Sequence, residues 1–307
     1  MFTKNSFYTL ILLLFATCVF SGCVPEDTSN NEKTFSFIFM SDTQADPEAG
    51  DYTHFGKILE SALRSDNDPR LLVLGGDNIN DGSSIGEWEL FWNAAGENLD
   101  GLLVASAAGN HDNTALLARQ FDYPQTAPEN NTEGFFYTFS ENNVFFLILD
   151  SNIMGAGNTS DAEWLRDQLT SSSATRADWR IAVLHHPFYP VADIPKDIQR
   201  AEVMRELFLP VMEENGVDLI LCGHQHVYSR TAPMQGGVIE ENGIIQIMTA
   251  SGAKGSYSPG EKDYIAQISE TSAYLIINAG ADELNITAFN YAGEPFDNVQ
   301  IEKIRRK

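Results

Sequence analysis

Residues 102–112 read LLVASAAGNHD, an apolar run of strand length that changes abruptly into a short polar tail. The run at 102–107 is typical of a buried β-strand, and Gly109-Asn110-His111-Asp112 follows it directly. A buried strand does not require an amide, an imidazole and a carboxylate together at its end. The tail is therefore a candidate functional loop.

The same arrangement recurs along the chain, because four other apolar runs also end in polar tails. These tails are Ser41-Asp42-Thr43-Gln44, Gly75-Gly76-Asp77-Asn78, His185-His186-Pro187 and Gly223-His224-Gln225-His226. The histidines concentrate in the five tails: only His54, of six histidines, lies elsewhere. This distribution indicates one shared site rather than five unrelated loop ends.

Short β-rich runs alternate with amphipathic runs, which is the pattern of an α/β protein. Strands are predicted at 34–41, 70–74, 102–107, 143–149, 180–184 and 217–221, and helices at 53–64, 86–95, 161–169 and 198–214. After Gly236 the chain reads as successive strands at 238–239, 244–250, 273–277, 284–290 and 298–301. No linker interrupts 34–307, so we expect one domain.

The tails carry the side chains that bind hard or borderline divalent cations. In an open α/β sheet, ligands bind at the carboxyl ends of the strands, so the five tails can converge on one point. Carboxylates, imidazoles and amide oxygens without a thiolate suit Mn, Zn or Fe. Alternation along an extended segment places His224 and His226 on opposite sides, so we expect them to serve different metals.

The ordered motifs resemble those of a known family. Asp42-x-Gln44, Gly76-Asp77, Gly109-Asn110-His111-Asp112, His185 and Gly223-His224-x-His226 are similar to the motifs of the calcineurin-like metallophosphoesterases, which run D-x-H, G-D, G-N-H-D/E, H and G-H-x-H. The resemblance covers roughly residues 36–230. It implies a four-layer αββα sandwich of two mixed β-sheets, with a dinuclear metal site at the edge where the sheets meet.

Carried over residue by residue, the resemblance implies two metal sites with one bridging ligand. One metal is held by Asp42, Gln44 and His226, the second by Asn110, His185 and His224, and Asp77 bridges them. Gln44 stands where the family usually has histidine. Asn80 stands three residues after Asp77, where purple acid phosphatases carry a tyrosine ligand, so the chain resembles that branch without its iron–tyrosinate chemistry.

The resemblance also implies a mechanism. A hydroxide that bridges two divalent ions attacks a phosphomonoester or phosphodiester. His111 is free of the metals, and we expect its imidazole to face the leaving-group oxygen while Asp112 fixes its tautomer. These two residues are the predicted catalytic pair.

Charge limits the class of substrate. The chain has 19 Lys and Arg against 43 Asp and Glu, a formal net charge of −24. Such a surface repels polyanions, which excludes general binding to a nucleic-acid duplex. Two divalent ions, less the charges of Asp42, Asp77 and the hydroxide, leave about +1 at the site. A small phosphate ester is therefore the expected substrate.

The first residues form a separate region. Residues 1–22 are predicted to be a lipoprotein-type signal peptide: Lys4 precedes an uncharged run at 7–20, and Ser21-Gly22 precedes Cys23. Residues 23–33 form a polar tether, and 34–307 form the metallophosphoesterase domain. An ordinary cleaved signal and an uncleaved anchor are the alternatives. All three place the protein outside the cytosol, and the first places it on a bacterial membrane through a lipid on Cys23.

Two other functions compete with phosphate-ester hydrolysis. One is a non-catalytic lipoprotein that binds metal or a phosphorylated ligand, and the other is hydrolysis of a different bond by the same centre. The Gly-rich segments at 152–161 and 251–264 are either lids over the site or ordinary surface loops.

Overall fold

A computed structural model of the chain describes residues 34–46, 48–65, 69–121 and 134–303. The predicted signal peptide and tether, with Cys23, lie outside the described residues. Within the described part, none of the helices combines the length and the apolar character needed to cross a bilayer.

The chain alternates strands and helices up to residue 222 and then consists almost entirely of strands. The strands are β1 (Phe35–Met40), β2 (Leu71–Leu74), β3 (Leu103–Ser106), β4 (Tyr137–Glu141), β5 (Val144–Ile148), β6 (Trp179–Val183), β7 (Leu219–Cys222), β8 (Tyr228–Thr231), β9 (Met234–Gln235), β10 (Val238–Ile239), β11 (Ile245–Met248), β12 (Ile265–Ser269), β13 (Ala273–Ala279), β14 (Glu283–Asn290) and β15 (Pro295–Glu302). The helices are α1 (Thr53–Ser65), α2 (Ile85–Ala95), α3 (Thr114–Leu117), α4 (Ser151–Met154), α5 (Thr159–Leu169), α6 (Ser172–Arg176), α7 (Pro195–Leu207) and α8 (Leu209–Glu214).

The strands form two large mixed sheets. The six-stranded sheet has the order β15-β14-β13-β1-β2-β3, and the seven-stranded sheet has the order β12-β8-β11-β7-β6-β5-β4. Pairing is parallel within β1-β2-β3 and within β11-β7-β6-β5, and antiparallel toward the outer strands. Each parallel group directs its carboxyl ends to one edge of its sheet.

The two sheets pack face to face, with helices on both outer sides. In β6, Ile181 and Val183 belong to the core between the sheets, whereas Ala182 packs in a second core with α5, α7 and α8. On the other side, Phe55 of α1 stacks on Phe91 of α2 with ring centroids 4.5 Å apart. Full burial of each such side chain contributes about 1.5–3 kcal/mol. The predicted four-layer αββα sandwich is confirmed.

Two details differ from the sequence prediction. The helix predicted at 198–214 is broken at Phe208 into α7 and α8, because Pro210 lies in the first turn of α8 and has no N–H for a continuous helix. Strands β4, β8, β9 and β12 and the short helices α3, α4 and α6 were not predicted. In β12 the side chains alternate only between half-buried and exposed positions, so the sequence has no apolar run there.

A partly buried ion pair joins the two sheets. Asp297 of β15 accepts hydrogen bonds from Tyr228 Oη (2.6 Å) and from Arg230 Nε (2.7 Å) and Nη2 (3.1 Å), both residues of β8. Tyr228 and Arg230 therefore have structural partners, away from the tails described above.

Candidate metal centre

The five strand ends meet at the edge shared by the two sheets. The backbone N–H of His224, after β7, donates to both carboxylate oxygens of Asp42, after β1, at 3.1 and 2.9 Å. A Cβ on Gly223 would lie 2.1 Å from Asp42 Oδ2, so only glycine permits this approach. These contacts join the tail of one sheet to the tail of the other.

The centre of the site is a buried group of two carboxylates and an imidazole. Ligand atoms of Asp42, Asp77 and His185 all lie within 4.8 Å of one another. His185 Nε2 is 3.3 Å from Asp77 Oδ2, and His226 Nε2 is 3.3 Å from Asp42 Oδ1. Carboxylates and imidazoles at this separation are suited to shared coordination of divalent cations.

Backbone carbonyls orient two of the imidazoles. His185 Nδ1 is 3.0 Å from the carbonyl oxygen of Gly75, and His226 Nδ1 is 3.1 Å from that of Gly255. A carbonyl oxygen only accepts, so Nδ1 carries the proton and donates. In the neutral ring the lone pair is then on Nε2, facing a carboxylate oxygen. Repulsion between these two electron-rich atoms is removed by a metal cation between them or by a proton on Nε2.

Charge within this group shifts the pKa of each member. Burial by itself raises the pKa of Asp77, but the charge of His185 and its hydrogen bond hold that pKa well below the usual range. Burial would lower the pKa of His185, yet Asp77 and Asp42 raise it to about 9. The site is thus electrostatically a cation site, because its carboxylates favour any positive charge placed among them.

Three of the predicted ligands carry a buried atom that lacks a hydrogen-bond partner among the described residues: Gln44 Oε1, His185 Nε2 and His224 Nε2. The two imidazole atoms lie within 3.3 Å of a carboxylate oxygen, but without the alignment of a hydrogen bond. An unsatisfied buried acceptor costs about 1–3 kcal/mol. Coordination of a metal offsets that cost at Gln44 Oε1 and His185 Nε2, so the residues present fit divalent ions, whereas His224 Nε2 faces Asp197.

Backbone strain is concentrated at the same residues. Of the five non-glycine residues with left-handed φ in the described chain, four are predicted metal ligands: Asp42 (52°), Asp77 (52°), His224 (80°) and His226 (50°). Each such residue costs of order 1–3 kcal/mol and persists only where the surroundings impose it. Holding these four predicted ligands in the left-handed conformation therefore lowers the stability of the fold.

The tail after β3 packs against Asp77. The N–H of His111 donates to Asp77 Oδ1 at 2.8 Å, and a Cβ on Gly109 would lie 2.1 Å from the same oxygen. Asn110 lies between these residues and is exposed at the edge of the site. His111 is also exposed, and its Nδ1 lies 2.6 Å from the carbonyl oxygen of Asn80.

The predicted role of Asp112 requires correction. No hydrogen bond joins the side chains of Asp112 and His111 in the described structure. The Asp112 carboxylate instead accepts from the N–H groups of Asp77 (2.8 Å), Asn78 (3.3 Å) and Gly109 (2.9 Å). Burial, followed by the charge of Asp77, raises the pKa of Asp112 to about 7. Asp112 therefore braces the two loops that carry Asp77 and Asn110, and the Asn80 carbonyl orients the His111 ring.

The Gly-rich segment at 251–264 lies across the metal centre. A Cβ on Gly252 would lie 2.2 Å from the carbonyl oxygen of Asp42, and the Tyr257 ring stacks on His226 at 5.3 Å and 9°. Between them, Lys254 is half-buried and forms no hydrogen bond or ion pair with the described residues. Burial lowers the pKa of Lys254, and the carboxylates of Asp77 and Asp42 oppose that shift.

Sequence reasoning missed Asp197, Lys254 and Tyr257 as neighbours of the site. Asp197 Oδ1 lies 3.1 Å from His224 Nε2, although Asp197 is part of α7. No motif contains these residues, and only the Gly-rich composition of 251–264 pointed to one of the segments. The roles of Asp42, Gln44, Asp77, Asn110, His185, His224 and His226 as ligands stay predictions that this geometry supports.

Comparisons with known proteins agree with the fold and show the family of the chain. The sequence profile of the calcineurin-like phosphoesterase family matches residues 35–228. Purple acid phosphatase 15 of Arabidopsis thaliana is 24% identical over 117 residues, which cover 38% of this chain and 22% of that protein. Among solved structures, purple acid phosphatase PPD1 of yellow lupin (Lupinus luteus) superimposes with a TM-score of 0.72 at 17% identity, covering 89% of this chain and 54% of that one. A dimetal phosphatase of Danio rerio superimposes with a TM-score of 0.61 at 16% identity, covering 88% and 99%.

The chain belongs to the calcineurin-like phosphoesterase family, because the family profile covers well over half of it. The first curated relatives are longer proteins, and the match spans only 22–28% of their length. Substrate and physiological role therefore do not transfer from them directly.

Proposed function

We propose that the protein is a dimetal phosphoesterase that hydrolyses small phosphate esters, either monoesters or diesters. The observation that carries this proposal is the buried group of Asp42, Asp77 and His185, with ligand atoms within 4.8 Å of one another. The unpartnered Oε1 of Gln44 at the same edge supports it. Asp42, Gln44 and His226 would hold one ion and Asn110, His185 and His224 the other, with Asp77 shared.

The ions, when bound, supply a water of lowered pKa and positive charge for the phosphoryl oxygens. The side chains and backbone of the protein supply the positioning of the ligands and the proton for the leaving group. Asp77 is held by the N–H of His111 and by the backbone that Asp112 braces, so the shared ligand keeps its place. The His111 Nδ1–H donates to the Asn80 carbonyl, which leaves Nε2 for the leaving-group oxygen. A protonated His111 donates its Nε2 proton to that oxygen as the ester bond breaks.

Lys254 supports a small anionic substrate. Lys254 is half-buried within reach of the charges of Asp77 and Asp42, and it has no ion-pair partner among the described residues. Once bound cations neutralise the two carboxylates, the positive charge of Lys254 can form an ion pair with an anionic group of the substrate. The net charge of −24 disfavours long polyanions at the same surface.

We propose further that the protein is an extracytoplasmic lipoprotein, with the signal peptide at 1–22, an acylated Cys23, the tether to 33 and the metallophosphoesterase domain at 34–307. This rests on the sequence alone: the uncharged run at 7–20 and the small residues before Cys23. Expression with labelled palmitate in a bacterial host tests it. Label should enter the wild type and be lost in Cys23→Ala, and equal labelling of both would contradict the anchor.

Metal content and hydrolysis, measured on the same samples, test the enzymatic proposal. The purified protein is loaded separately with Mn, Zn and Fe and assayed on nitrophenyl phosphate and bis-nitrophenyl phosphate, beside His226→Ala. We expect about two ions per chain and metal-dependent turnover, both reduced in the variant. Two ions without turnover of any ester would favour the metal- or phospholigand-binding lipoprotein instead.

A further inference from the structure

A carboxylate from outside the motifs lies against one of the predicted metal ligands. Asp197, in the first turn of α7, is 4% exposed, and its Oδ1 lies 3.1 Å from Nε2 of His224, which is also 4% exposed. The alignment falls short of an ideal hydrogen bond. Even so, a carboxylate oxygen at this distance repels a nitrogen lone pair and attracts an N–H, so it favours the tautomer with the proton on Nε2.

Asp197 is itself held in place by a second contact. Its Oδ2 accepts a hydrogen bond from Gln225 Nε2 at 2.9 Å. The Oε1 of Gln225 accepts in turn from the N–H groups of Val191 and Ala192, at 2.8 and 2.9 Å. Gln225 thereby ties the loop between His224 and His226 to the segment that precedes α7. The carboxylate is positioned by two parts of the chain at once.

An ordinary role in helix capping does not account for Asp197. Acidic residues in a first turn commonly stabilise the helix through its free N–H groups. Here the two oxygens face Gln225 and His224, and neither accepts a hydrogen bond from the α7 backbone in the described structure. The side chain is directed toward the predicted metal ligand rather than along its own helix.

His224 is oriented differently from the other two imidazoles of the site. His185 and His226 place Nδ1 against a backbone carbonyl, which leaves Nε2 for a metal. The carboxylates that face Nε2 of His185 and His226 are the predicted ligands Asp77 and Asp42, whereas His224 Nε2 faces Asp197, which lies outside the predicted ligand set. The Nδ1 of His224 has no hydrogen-bond partner among the described residues. The nitrogen available for a metal is thus Nδ1 in His224 and Nε2 in the other two.

We propose that Asp197 is a positioning residue for the second metal: it holds the proton of His224 on Nε2 and so presents Nδ1 to the ion. The proposal rests on the dimetal site proposed above, but not on the identity of the substrate. Carboxylates that hold a ligating histidine in this way typically change metal affinity by 10- to 100-fold. Asp197 acts through His224 and need not touch the substrate.

The test compares zinc binding in the wild type, Asp197→Asn, Asp197→Ala and Asp297→Asn. Asp297 serves as the control, since it is a partly buried carboxylate in an ion pair whose partners, Tyr228 and Arg230, are not predicted metal ligands. Competition with a chromophoric chelator measures the affinity of each of the two zinc ions. We expect one of the two ions, the one held by His224, to bind about 10- to 100-fold more weakly in Asp197→Ala. The loss should be smaller in Asp197→Asn, whose amide oxygen still accepts, and Asp297→Asn should keep both affinities.

A spectroscopic measurement separates positioning from general loss of stability. In the zinc-loaded wild type, two-bond ¹H–¹⁵N spectra should show His224 protonated on Nε2 and coordinated through Nδ1, whereas His185 and His226 are protonated on Nδ1. Asp197→Ala should lose the protected Nε2–H signal of His224 and keep the other two. Assignment uses the spectrum of His224→Gln.

The outcomes distinguish this inference from the function on which it rests. Wild-type affinity for both zinc ions in Asp197→Ala overturns the inference, as does coordination of His224 through Nε2. If the wild type binds two zinc ions but hydrolyses no phosphate ester, the proposed activity is overturned. The role of Asp197 is then still decided by the zinc affinities of the Asp197 variants.

Discussion

Asp77 Oδ1 accepts a hydrogen bond of 2.8 Å from the backbone N–H of His111, so the proposed shared metal ligand and the proposed proton donor are joined directly. Asp77 follows β2 and His111 follows β3, which are parallel neighbours in the six-stranded sheet. Because the contact uses the backbone of His111, its imidazole remains free to face a substrate.

Replacement of the His111 ring should separate chemistry from metal binding. In His111→Ala the backbone N–H to Asp77 is retained, so we expect two bound metals and a kcat lowered by about 10²- to 10⁴-fold, the range for loss of a general acid. Elemental analysis and steady-state kinetics with bis-nitrophenyl phosphate measure both. His54→Ala, which alters a ring that contacts Ser272 and Tyr291, serves as control. Loss of metal from His111→Ala would refute the assignment.

Two buried glutamines should respond in opposite ways to truncation. Gln44 has an unpartnered Oε1, whereas Gln246 both accepts from the N–H and donates to the carbonyl of Tyr189, each at 3.0 Å. Gln44→Ala should weaken one metal site about tenfold or more and change the metal-free stability little. Gln246→Ala should keep both metals and lose about 1–3 kcal/mol of unfolding free energy. Metal titrations measure the metal affinity of each variant, and urea unfolding of the metal-free proteins measures its stability. Unchanged metal affinity in Gln44→Ala would show that Gln44 is not a metal ligand.

Lys254 should contribute to substrate binding rather than to metal binding. Lys254 is half-buried, the charges of Asp77 and Asp42 act on it, and within the described part of the chain it forms no ion pair. A hydrogen bond to a charged group contributes about 1.5–3 kcal/mol, so Lys254→Ala should raise KM by roughly tenfold or more at low salt. The increase should diminish as added salt screens the charge. Lys262→Ala, in the same segment but paired with Asp193, should leave KM unchanged. Equal KM values for Lys254→Ala and the wild type would contradict this role.

The ion pair between the sheets should make stability depend on pH. Burial raises the pKa of Asp297, but the hydrogen bonds from Arg230 and Tyr228 outweigh burial and hold the pKa below the ordinary 3.8. A carboxyl group with a lower pKa in the folded state stabilises the protein above its unfolded pKa, and the stabilisation is lost as the pH falls through the folded value.

Asp297→Asn should therefore lower the unfolding free energy by about 2 kcal/mol at pH 7. The difference from the wild type should stay constant down to about pH 5 and shrink at lower pH. Urea unfolding at a series of pH values measures it, with the exposed Glu294→Gln as control. A difference that does not change between pH 7 and pH 2 would show that the charge of Asp297 is not responsible.

The parallel strands and their tails were predictable because both signals are local. Apolar runs at 34–41, 70–74, 102–107, 180–184 and 217–221 became β1, β2, β3, β6 and β7, with polar residues directly after each. A buried parallel strand requires a continuous apolar segment, and such a segment is visible in the sequence without knowledge of its neighbours. The convergence of the tails follows from the direction that parallel strands share.

The hydrogen-bond partners of individual side chains were not predictable in the same way. Asp112 follows His111 directly, which suggested that the two side chains pair, yet its carboxylate is surrounded by the N–H groups of Asp77, Asn78 and Gly109. A run of unpaired backbone donors competes for a nearby carboxylate, and that run exists only once the β2 and β3 loops are side by side.

The sequence by itself determined the fold class, the order of the motifs and the set of candidate ligands, because those depend on residue type and on spacing along the chain. Only the tertiary structure decided which nitrogen of each histidine is available, which carboxylate lies beside His224 and which lysine lies at the site. Those contacts join residues far apart in sequence, such as Asp197 with His224 and Tyr257 with His226. They depend on how α7 and the segment at 251–264 pack against the strand ends, and no local pattern of residues encodes that packing.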